Sequence, residues 1–221
     1  MAMTEAQLLQ LIDMTNNTFI WEFKKGDNIV YNFQILWILY ESRLQSNEQH
    51  LFNKPIIISI ASIIECILDD FVQRIQQRTR DPLPNITSEI IHDFKYREKD
   101  GVLEFNKLES VALYLKQAEK HNLFDQPKIF YENLWLLKNA RDRVHIQNRY
   151  GKLEANEDRV FSDARLKLSE EILEIVIDKM VSKFPRSSSP TPQDINLFPF
   201  PWKLLKIQIA NKEISAEDIP F

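Results

Sequence analysis

Arg141, Asp142 and His145 lie in the short run LKNARDRVHIQN, and their side-chain types suit phosphate chemistry. A guanidinium presents a planar fork of donors that matches a phosphate. An imidazole titrates near neutral pH, so it can take or give a proton. Residues four apart on a helix are neighbours, which puts Arg141 and His145 on one side. Asp142, or Glu65 from the earlier run KPIIISIASIIECILDDFVQRI, would orient them. The plainer alternative pairs Arg141 with an acid of another helix, Glu65 foremost, and makes His145 an ordinary helix histidine.

Other chemistry is less well supported. Glu65 and Asp69 form an i, i+4 acidic pair, but no His or Cys follows at a ligand-like spacing. One acid pairing with Arg and the other solvated is the favoured reading. His50, His92, His121 and His145 are scattered over separate segments with no HExxH motif or paired cysteines, so no metal is expected. With only three glycines, no glycine-rich phosphate loop exists and no nucleotide cofactor is implied. The tract HDFKYREKD sets Lys95, Arg97 and Lys99 beside Phe94 and Tyr96, a combination that can meet single-stranded nucleic acid. Asp93, Glu98 and Asp100 dilute that charge, so a solvated helix face is expected.

The elements that carry these residues read as helices. Pro127 to Tyr150 reads as one long helix, with proline at its start and Gly151 beyond its end. At about 100° per residue, Phe130, Leu134, Leu137, Arg141, Val144 and Asn148 share a stripe, His145 lies at its edge, and Arg143 falls nearly opposite. Asn148 is therefore a supporting candidate. A second long helix is expected over 54–81, where Ile57, Ile60, Ala61, Ile64, Leu68, Phe71 and Ile75 recur at three and four. These two should pack centrally. Shorter helices are expected over 4–17, from Asn28 to 45, over 88–99, from Asn106 to 122, and from Ser169 to 184. Residues 152–169 read as a polar loop, and Lys120 and His121 should face outward.

Period-two alternation at Phe19, Trp21 and Phe23, and again at Leu205, Ile207 and Ile209, suggests two strands, 18–24 and 204–210, joining the two ends in a small ribbon. Residues 1–186 read as a helical bundle, and 187–221 as a Pro/Ser linker with a tail that docks. The expected fold class is all-α, a bundle of six or seven helices.

Composition narrows the function. The formal net charge is -4, so any nucleic-acid contact must be a local patch. A single cysteine, Cys66, excludes a disulfide framework within one chain. Without a secretory signal, a reducing cytoplasm is the expected location. The longest apolar run, 55–68, is shorter than the roughly 20 residues needed to span a bilayer, so no membrane partner is expected.

The run LKNARDRVHIQN, late in a helical chain, resembles the signature of the HEPN family: an Arg, often followed by Asn or Asp, then a His on the same helix. Arg141, Asp142 and His145 match in type and order, and KPIIISIASIIECILDDFVQRI looks like the family's preceding core helix with an embedded acid. The likeness spans about residues 50–150. It implies a homodimer whose paired helices line one cleft, RNA as partner, and metal-independent endoribonuclease activity of the toxin–antitoxin or phage-defence kind, with an antitoxin protein as a further partner. The Arg–His spacing is shorter here than is usual in the family. That keeps open a non-catalytic HEPN-like module that binds a partner protein or nucleotide.

Overall fold

The structure is a computed structural model of the 221-residue chain and describes residues 3–18, 25–76, 86–99, 101–105, 110–144, 156–186 and 198–205. Among the described residues it is an all-α bundle. The helices are α1 (Glu5–Thr18), α2 (Lys25–Gln45), α3 (Asn53–Ile75), α4 (Ser88–Lys95), α5 (Val111–Lys120), α6 (Lys128–Arg141), α7 (Glu157–Val160) and α8 (Asp163–Ser182). Short 3-10 turns at Gln49–Phe52 and Asp142–Val144 precede α3 and follow α6. No helix among the described residues is long and apolar enough to cross a membrane.

The helix α3 is the axis of the bundle. Ile56, Ile57, Ile60, Ile63, Ile64, Ile67, Leu68 and Phe71 are all buried. They cover an arc wider than the roughly 100° stripe of a surface helix. Helices α2, α5, α6 and α8 all pack on it. Each such side chain contributes about 1.5–3 kcal/mol by leaving water, so α3 alone anchors much of the fold. The helix α6 packs on α3, α5 and α8 through Phe130, Leu134 and Leu137. The apolar stripe of α6 is thus buried inside one chain.

Caps set the helix starts. Gln7 N–H donates to Thr4 Oγ1 at 3.2 Å while Thr4 N–H donates to Gln7 Oε1 at 2.9 Å, a reciprocal capping box. Ser110, rather than Asn106, caps α5 by accepting from Leu113 N–H. Ser162 caps α8, so that helix begins well before Ser169, which is buried mid-helix. The described part of the segment read as a loop instead carries α7 and the first two turns of α8. Among the described residues, the short helix α7 and the helical turn at 201–205 are absent from the sequence expectation.

Two further expectations are corrected. The helix beginning at Ser88 stops at Lys95, and Tyr96–Lys99 forms β1, paired antiparallel with β2 (Val102–Phe105). Gly101, at φ +74°, makes the two-residue turn between Lys99 and Val102, a backbone region that glycine enters without strain. A two-stranded ribbon not expected from the sequence thus forms at 96–105. Of the segments expected to join the ends, 19–24 and 206–210 lie outside the described residues, Thr18 belongs to α1, and Leu204 and Leu205 lie in a helical turn at 201–205. The helix expected over 54–81 spans Asn53–Ile75, with Gln76 as its C-cap and 77–85 outside the described residues.

The 198–205 segment is part of the core. Phe198, Phe200, Trp202 and Leu205 are buried. Phe33 of α2 meets Phe198 at 5.1 Å, Phe198 meets Phe200 at 4.8 Å, Phe200 stacks on Trp202 at 5.0 Å, and Trp202 meets Tyr40 at 5.6 Å. Trp202 Nε1–H donates to Glu174 Oε1 at 2.6 Å, so the ring's single polar atom is satisfied on α8.

Candidate functional site around Arg141

Arg141 is the last residue of α6, and the regular helix ends there rather than at Tyr150. Arg143 takes φ -83° and ψ 15°, outside helical geometry, within the 3-10 turn. That break resets the wheel. Arg143, expected opposite the core stripe, is buried at 6% exposure. His145 and Asn148 lie outside the described residues.

Arg141 reaches across to α3. Its Nη2 lies 2.5 Å from Glu65 Oε2, and its Nη1–H donates to Asp142 Oδ1 at 3.4 Å. Asp142 Oδ2 in turn accepts from Lys138 Nζ at 2.6 Å. The structure therefore brings together Arg141, Asp142 and Glu65, and adds Lys138, one turn before Arg141 on α6. The i, i+4 spacing of Lys138 and Asp142 was visible in the sequence. Arg141 remains 36% exposed at its side chain.

The group lines a narrow cleft of about 20 Å³ between α3, α5 and α6. Ile64, Leu115 and Leu134 form its apolar lining, with Glu65, Lys138 and Arg141 beside them. Burial pushes the Glu65 carboxyl above its usual value. Arg141 opposes that shift, while Asp142 and Asp69 reinforce it. Asp69 does not join the ion pair. It accepts from Tyr114 Oη at 2.9 Å and from Gln73 Nε2 at 3.3 Å. Of the acidic pair read in the sequence, one acid thus meets Arg, and the other is hydrogen-bonded rather than simply solvated.

A second cluster escaped the sequence reading. His121, the C-cap of α5, does not face outward. Its side chain is 7% exposed, and its Nε2 lies 2.7 Å from Asp93 Oδ2. Lys120 Nζ contacts the same oxygen. Burial raises the Asp93 carboxyl, but the hydrogen bonds from Lys120 and His121 outweigh it and hold the group below its usual range. Nothing in local spacing links residues 93 and 121; only packing of α4 beside the end of α5 does.

Comparison with protein-family models, with curated proteins and with solved structures finds no match.

Proposed function

We propose that the chain is a HEPN-like, metal-independent endoribonuclease of the toxin–antitoxin or phage-defence kind. It acts in the cytoplasm as a homodimer, on RNA, with an antitoxin protein as its regulator. The observation that carries this reading is the placement of Arg141. Its guanidinium is paired with Glu65 beside a narrow cleft, with the side chain 36% exposed, at the head of the RDRVH run. His145 takes the proton of a ribose 2′-OH, whose oxygen attacks the adjacent phosphorus. The bond to the 5′-oxygen breaks, and that oxygen takes a proton from water, while His145 returns its own to solvent. Arg141 stabilises the charge developing on the phosphate oxygens, with Asp142 and Glu65 orienting it and Asn148 supporting His145. RNA rather than DNA is the substrate because the 2′-OH is consumed.

The test is cleavage of a mixed RNA pool by wild type and His145→Ala purified identically, in EDTA. We expect products ending in a 2′,3′-cyclic phosphate, and a loss of roughly 10²–10⁴ in rate for the variant. Equal activity in both samples, or activity in neither, overturns the catalytic reading.

One observation favours a second reading, a non-catalytic HEPN-like module binding a partner protein or nucleotide. Lys138 and Arg141 are balanced by Glu65 and Asp142, so the cluster carries no net positive charge toward a phosphate. Binding of RNA without cleavage by wild type supports that reading.

A further inference from the structure

We propose that Glu89, Asp93 and His121 form a binding site for a divalent first-row metal ion of the zinc class, distinct from the Arg141 cleft. The ligand atoms of the three residues lie within 4.8 Å of one another. Glu89 and Asp93 stand four apart on α4, so both carboxylates project from one face. His121 comes from the end of α5 and completes a three-sided set.

The set is organised in advance. Phe94, next to Asp93, is 1% exposed and pins this side of α4 to the core. The His121 ring lies against it, 6.5 Å between centroids, and its side chain is more than nine-tenths buried. The imidazole is therefore fixed, with Nε2 aimed at the carboxylates. Glu89, in contrast, is exposed, which leaves a coordination position open to water. His92 Nδ1 stands 3.6 Å from Asp93 Oδ1 on an exposed side chain and can turn in as a fourth ligand.

The donor set selects the ion. One imidazole with two carboxylates suits zinc and its neighbours, whereas magnesium and calcium prefer all-oxygen shells. A tetrahedral shell at about 2.0–2.1 Å spaces neighbouring donors about 3.3 Å apart. Asp93 Oδ2 and His121 Nε2, now 2.7 Å apart, must separate by roughly half an ångström. Nε2 then presents its lone pair and the ring proton sits on Nδ1. Lys120, which contacts Asp93, is 55% exposed at its side chain and competes with an incoming dication. Bound metal would clamp α4 and its hairpin to the end of α5.

The test is calorimetric titration of the full chain with Zn²⁺ in a non-coordinating buffer near neutral pH. We expect one equivalent bound per chain. Glu89→Gln, at an exposed position that leaves folding intact by circular dichroism, should weaken binding at least tenfold. Lys120→Ala should tighten it severalfold by removing the competing ammonium, and His50→Ala should change nothing. No saturable binding, equal binding by Glu89→Gln, or weaker binding by Lys120→Ala overturns the site. None of these outcomes depends on whether the chain cleaves RNA.

Discussion

Arg141 at the end of α6 and Glu65 in the middle of α3 meet at 2.5 Å, tying the last turn of one helix to the axis of the bundle. The pair is asymmetric in its effect. Arg141 favours the ionised carboxylate, yet burial and the nearby Asp142 and Asp69 charges leave Glu65 easier to protonate than a free glutamate. A carboxyl raised in the folded state stabilises the fold below its unfolded value, and loses that contribution as pH rises through the folded one.

This gives a signed expectation. Between the usual glutamate value near 4.5 and neutral pH, wild type should lose stability relative to Glu65→Gln. Urea unfolding of both proteins across that range measures it. A stability difference that stays constant with pH, or that grows in favour of wild type, refutes the assignment. Under the proposed function the same variant, which frees Arg141 from its carboxylate, should also bind RNA more tightly.

Arg143 carries a second expectation, opposite to the one a helical wheel gives. At 6% exposure its methylene stem and guanidinium are packed, so Arg143→Ala should cost roughly 1–3 kcal/mol through lost packing. Chemical denaturation checks this. A change within about 0.5 kcal/mol, ordinary for a surface site, would show that the position is solvated.

Trp202 tests the aromatic ladder. Trp202→Ala removes a ring that stacks on Phe200 and meets Tyr40, and should cost about 3–5 kcal/mol. Trp202→Phe keeps a ring but loses the bond to Glu174 and should cost about 1 kcal/mol. Near-ultraviolet dichroism and urea midpoints read both. Equal effects of the two substitutions would mean that stacking contributes little.

Much of the fold is legible in the order of residues because helix periodicity is a local signal. The recurrence of Ile57, Ile60, Ile64, Leu68 and Phe71 marks α3 and its buried face directly, and all five are buried. The Glu65–Arg141 pair was also within reach, since each charge interrupts an apolar stripe and so calls for a partner. What failed was local geometry at helix ends. Nothing before Arg143 announces the 3-10 turn, because no glycine or proline stands there. Tyr96–Lys99 has a polar composition typical of a helix surface and becomes a strand only through pairing with Val102–Phe105 across Gly101. The approach of His121 to Asp93 depends on how α4 and α5 stack, a tertiary fact with no trace in spacing.

The ladder that runs from Phe33 through Phe198 and Phe200 to Trp202 joins residues far apart in synthesis. During translation α2 emerges early and must wait, with Phe33 uncovered by its late partners, until every helix through α8 has been made. Closure of the bundle therefore comes late in the order of synthesis, and until then the chain presents aromatic surface of the kind that aggregates when crowded. A bulky fusion joined directly after Leu205 would burden this closing step more than one placed ahead of α1.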